Sequence, residues 1–168
     1  SNDRSEVGRL KPNVKANVAV NPDSELIPVT RANGVLLTLT EPSGGLVAGQ
    51  ASVLQLDGWT YEDLTLKSGA AMVVFWPSVP KQLEKGREAS SSNSVEQLRQ
   101  LLVDARAYRM SKRNSPETQR TDVRLEAMFP VLDRKMPLLV HANSLAVIQS
   151  AVSFCAEEKL RLIIYGGY

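Results

Sequence analysis

Apolar residues along this chain follow two periodicities, and their alternation sets the expected architecture. Residues 35–40 (VLLTLT), 70–76 (AAMVVFW), 137–142 (PLLVHA) and 160–165 (LRLIIY) are short, nearly continuous apolar runs, the pattern of buried strands. Between them, Val95, Leu98, Leu101, Leu102, Ala105 and Tyr108 recur at helical spacing and predict the longest helix over 94–111. Asp122 opens a further helix with Val123, Ala127, Met128 and Val131 on one face, kinked or shortened by Pro130. Ser144 caps a helix over 145–159. Near the start, Pro22, Asp23 and Glu25 open a short helix over 23–32, which Asn33-Gly34 closes. Thr60 as N-cap with Asp63 three residues on predicts another over 60–67.

Weaker patterns fill the remainder. Residues 1–13 read as an irregular, frayed lead-in, and 14–20 as a strand or extended approach. Residues 46–56 alternate only weakly and end at the turn signal Asp57-Gly58. Polar connections cover 78–93, with a serine run at 90–92, and 114–121; the first is the best candidate for a mobile segment. Strand alternating with helix predicts an α/β domain over 14–168, with a mainly parallel sheet and flanking helices.

Composition narrows the function classes. The 168 residues hold 43% hydrophobic and 23% charged side chains, enough for one domain with a core. Twenty Lys plus Arg against 18 Asp plus Glu leave a net charge of +2, which gives no general drive toward nucleic acid or an anionic membrane. The densest basic stretch, residues 106–120, is diluted by Ser, Asn, Pro and Thr and reads as a solvated helix end and loop. No apolar stretch approaches the roughly 20 residues a membrane-spanning helix needs. Cys155 is the single cysteine, so an internal disulfide is excluded, and its apolar-periodic surroundings predict a buried thiol.

The chemistry-bearing candidates are few. Residues 44–51 (GGLVAGQA) contain Gly, four residues and Gly, but Gln50 and Ala51 stand where a phosphate-binding loop needs Lys and Ser or Thr, so that reading is rejected. No Gly-x-Ser-x-Gly occurs, and nothing local pairs Ser43 with a histidine. Glu41 and Asp57 lie near strand or turn ends, where a two-carboxylate mechanism stands beside the plainer reading of caps. Trp59 and Trp76 read as packing residues. His141, the single histidine, falls at the carboxyl end of a strand, where barrel enzymes place metal ligands and bases; the plainer reading is a core histidine with a hydrogen-bonded ring.

Three stretches together carry a family resemblance. Residues 21–35 (NPDSELIPVTRANGV), 42–50 (PSGGLVAGQ) and 56–60 (LDGWT), with 137–142 and 161–167 (RLIIYGG) downstream, resemble the bacterial amidohydrolase superfamily near its imidazolonepropionase-like branch. The resemblance covers most of 14–168 and implies a partial (β/α) barrel belonging to a metal-dependent hydrolase of amide or cyclic amide C–N bonds. In that family the metal, most often zinc, is held by a His-x-His on the first barrel strand, further histidines on middle strands and an Asp on a late strand. Here His-x-His is absent, only His141 matches a middle-strand ligand, and Tyr165-Gly166-Gly167 stands where many relatives place another histidine.

The resemblance therefore implies an internal fragment of a barrel, with the divalent metal expected in the longer parent and none in this chain alone. An open sheet predicts self-association through its edges or apolar surface. Export from a bacterial cell is implied by the resemblance alone. The competing expectation is a non-catalytic α/β module that binds a partner or small ligand.

Overall fold

The computed structural model describes residues 8–78, 87–115 and 120–167. Five strands, β1 (Leu37–Thr40), β2 (Val47–Gln55), β3 (Thr65–Phe75), β4 (Leu138–His141) and β5 (Leu162–Tyr165), form one curled sheet in the order β1-β2-β3-β4-β5. The helices are α1 (Leu26–Ala32), α2 (Tyr61–Leu64), α3 (Arg87–Asn114), α4 (Val123–Ala127), α5 (Phe129–Leu132) and α6 (Leu145–Glu157). The α/β class with flanking helices follows the sequence pattern.

Strand direction follows connection length. Parallel neighbours need a crossover of a dozen or more residues, whereas antiparallel neighbours close with a short turn. The connections 41–46 and 56–64 are short, and β1–β2 and β2–β3 pair antiparallel. The helix-bearing connections after β3 and β4 are long, and β3–β4 and β4–β5 pair parallel. Parallel pairing is thus confined to the last three strands. Because two reversals restore direction, β1 also runs parallel to β3, β4 and β5.

Local chemistry explains most boundaries. Thr60 and Asp63 form the expected reciprocal cap, yet α2 lasts one turn, because residues from Thr65 are taken into β3. Asp122 caps α4 through the amides of Arg124 and Leu125, and the helix breaks at Met128 so that Pro130 falls in the first turn of α5. Helix α3 starts at Arg87, so the serine run at 90–92 is helical and not part of a loop; residues 79–86 and 116–119 of the two expected loops lie outside the described residues. Residues 16–19 form a 3-10 turn where an extended approach was expected.

The lead-in is irregular but not frayed beyond Gly8. Leu10 bridges Val47, the Lys11 amide donates to the Val47 carbonyl, and Gln50 reaches the Pro12 carbonyl through its side chain at 3.0 Å. Residues 1–7 lie outside the described residues.

Two clusters fill the sheet's faces. Met72, Val74, Leu138 and Val140 face the helices and meet Leu98, Leu102, Ala105, Ala151 and Phe154. The alternate residues, Ala48, Ala51, Ala71, Val73 and Leu139, form a smaller cluster on the face turned away from them. Trp76 is buried and its indole donates to Ser150 at 3.2 Å, as a packing residue does. Trp59 departs from that expectation and is 91% exposed. Cys155 is buried in the helix-side cluster, and burial pushes its thiol pKa up to about 11, so it stays protonated and unreactive near neutrality. Three cations of the basic stretch are paired: Arg106 with Glu158, Arg109 with Asp133 and Lys112 with Glu126.

Candidate functional site

The carboxyl ends of β1, β3, β4 and β5 share one rim of the sheet. In parallel register, Phe75 of β3, His141 of β4 and Tyr165 of β5 stand side by side. Side chains two apart share a face, so His141 lies on the Leu139 side, away from the helices. Its ring stacks on Phe75 with centroids 4.4 Å apart and meets Tyr165 at 4.7 Å. The imidazole is therefore clamped between two aromatic walls.

Glu41, the first residue after β1, completes the arrangement. Its carboxylate oxygens lie 3.0 and 3.1 Å from Nε2 of His141. In a flat sheet, β1 and β4 would stand roughly 14 Å apart, three strand spacings. The curl, with the loop that follows β1, brings the two residues together across β2 and β3. Both side chains keep some access to solvent, 19% for His141 and 28% for Glu41. A carboxylate on one ring nitrogen fixes tautomer and ring orientation and leaves the other nitrogen for a ligand or a proton.

The rim is completed by a close backbone approach. The Ala142 amide donates to the Tyr165 carbonyl at 3.0 Å. Gly166 follows at φ +108°, and a Cβ there would fall 2.0 Å from Asn143 Oδ1 and 2.9 Å from the Ala142 carbonyl oxygen. The loop after β5 can pass β4 only because residue 166 has no side chain.

The other candidates are not brought here. Asp57 follows β2, which runs the opposite way, so it sits at the far rim and pairs with Arg31. Glu41 and Asp57 are therefore not a carboxylate pair. Residues 47–50 lie in β2, and Gln50 is buried against the lead-in, so the glycine-rich stretch enters a strand and forms no phosphate cradle. Ser43 contributes its carbonyl to Lys11 Nζ at 3.4 Å. The partnership of Glu41 with His141 had no signature in the sequence, since it depends on the curl.

His141 and Glu41 together offer two donor side chains. A catalytic zinc site takes about three protein ligands and a structural one four. Among the described residues, no group of three or more His, Cys, Asp or Glu gathers where a metal ion would bind. The described residues do not complete a metal site. No described helix is long and apolar enough to cross a membrane.

One solved structure is similar: an amidohydrolase from Thermotoga maritima MSB8, TM-score 0.83 at 24% sequence identity, over 98% of this chain and 45% of that one. This chain has an amidohydrolase-like fold. It spans less than half the length of the protein it matches. No family model matches the chain, and no curated protein matches it.

Proposed function

We infer that this chain is part of a longer, amidohydrolase-like, metal-dependent hydrolase of amide or cyclic amide C–N bonds, with His141 as one metal ligand, zinc being the first candidate. On this reading the chain has no hydrolytic activity in isolation, because its described residues do not supply the three protein ligands a catalytic centre takes. The observation that carries it is the pairing of His141 with Glu41 at the carboxyl rim of a partial barrel, where barrel enzymes assemble their sites. A ligand histidine characteristically bonds a carboxylate through its second nitrogen.

Cobalt(II) titration followed by visible absorption tests it. Weak, saturable binding is expected for the wild type, lost in His141→Ala and weakened about ten- to a hundred-fold in Glu41→Gln. Equal spectra for wild type and His141→Ala would overturn the ligand role. They would favour the second reading, a non-catalytic module that binds a partner or small ligand.

The same reading carries a consequence for assembly. Ile163 and Tyr165 of the edge strand β5 are 46% and 52% exposed on the face that a closed barrel would cover. The strand carries no charge or proline to guard its edge. Sedimentation of the isolated chain is expected to show dimers or larger species, and Ile163→Lys to shift them toward monomer. A wild-type monomer at every concentration would overturn this expectation.

A further inference from the structure

At the rim opposite His141, the turn after β2 presents Trp59 to solvent, 91% exposed. Such exposure is ordinary on a loose loop, but this turn is held from every side. Gln55 Nε2 donates to the carbonyls of Asp57 and Asp63, and Arg31 donates to the carbonyl of Leu56 and to the Asp57 carboxylate. The Leu56 amide donates to the Leu36 carbonyl, and Thr60 and Asp63 close their reciprocal cap directly after the tryptophan. Gly58 is pressed against α2, where a Cβ would meet Asp63 Cβ at 2.9 Å. The turn therefore fixes the backbone that carries a bare indole, and that indole makes no hydrogen bond or ring contact with the described residues.

Beside it lies an open groove of about 390 Å³ lined by Pro22, Asp23, Pro28, Arg31, Asp57 and Trp59, among others. Its charged lining is two carboxylates, Asp23 and Asp57, and one guanidinium, Arg31, on a chain whose net charge is +2. Arg31 is already held by Asp57, and the Asp23 carboxylate has no partner among the described residues.

An indole face is the best of the aromatic surfaces for a cation, and the nearby carboxylates add an attraction of the same sign. We propose that the Trp59 groove binds an organic cation, an alkylammonium or guanidinium group that stacks on the indole and faces Asp23 and Asp57. The group has two sources, a free amine or the side chain of a Lys or Arg in another polypeptide. The proposal is independent of the reading of His141, which lies at the other rim.

The test follows the indole N–H resonances of the whole chain, of which there are two. Trp59→Leu removes one and so assigns them, and the buried Trp76 serves as internal control. Because Trp59 touches so little of the chain, the Leu variant is expected to melt as the wild type does. Tetramethylammonium chloride is expected to shift the Trp59 signal saturably while Trp76 stays still. Sodium chloride at equal ionic strength and the neutral isostere neopentyl alcohol leave both unmoved. Asp23→Asn raises the Kd on the order of two- to five-fold, and Trp59→Leu abolishes the calorimetric heat. Saturation by the free cation identifies a small-molecule source; saturation only by Gly-Arg-Gly, and not by Gly-Ala-Gly, identifies a polypeptide one. No saturable shift with either, or equal shifts with the neutral isostere, overturns the proposal.

Discussion

Replacing Gly49 with alanine is expected to destabilise the chain by about 3–5 kcal/mol, the sum of backbone strain and overpacking. Gly49 lies in the interior strand β2, at φ +135°, a conformation that L-residues rarely adopt. A Cβ at this position would fall 2.6 Å from the carbonyl oxygen of Val14 and 3.0 Å from both Val14 Cβ and Pro42 Cγ. The first of these contacts is with backbone and cannot swing aside. That same carbonyl accepts the Gln50 amide at 2.7 Å, so moving it away breaks one of the bonds that dock the lead-in on the sheet. Total stabilities of domains this size run to about 5–15 kcal/mol, so the loss is a large share. Urea unfolding followed by circular dichroism reads it as a lower midpoint. A loss under about 1 kcal/mol would mean that residues 9–15 do not pack on β2 in solution.

The second large effect is expected from Leu102→Ala. Leu102 is fully buried in α3, among the helix-side cluster that faces Met72, Val74, Leu138 and Val140. Truncation removes methyl and methylene groups from contact and leaves a cavity that a well-packed layer fills only in part, at about 2–5 kcal/mol. The neighbouring Val103 is 47% exposed, and Val103→Ala is expected to change stability by no more than about 0.5 kcal/mol. The contrast between adjacent positions separates packing from helix propensity, since both variants place alanine in the same helix. Equal midpoints for the two would mean that α3 does not rest on the sheet by this face.

The elements that were legible in the sequence are those whose partners are apolar and interchangeable. β3, β4 and β5 announced themselves as apolar runs: β3 and β4 have an apolar cluster on each face, and β5 packs Leu162 and Ile164 on the helix-side one, and such clusters accept any residue of suitable size. β2 did not, although it is an interior strand. It carries Gly49, Gln50 and Ser52, and the polar ones are satisfied by the Pro12 carbonyl and the Asn17 side chain, from residues far away along the chain. A strand whose polar groups find distant partners shows no clean alternation. The site divides in the same way. A histidine at a strand's carboxyl end was visible as a candidate, but its carboxylate stands 100 residues away, and only the curl makes Glu41 a neighbour. Trp59 reversed its expectation for the same reason: burial belongs to the surroundings of a side chain, and its own character does not decide it.

The mixed directions of the strands also set an order in time. β2 and β3 are joined by a connection that closes within residues 56–64, while β4 joins β3 only after residues 76–137 have been gathered in, and β5 waits for α6. Each doubling of a loop adds roughly 0.6 kcal/mol to the entropy of closing it, and local pairings form before distant ones. The antiparallel half of the sheet is therefore the template, and the parallel half is the addition. When β4 docks, His141 meets the wall already offered by Phe75, and it gains the second, Tyr165, only when β5 follows, so the rim that holds it is expected to be the last part of the molecule to form.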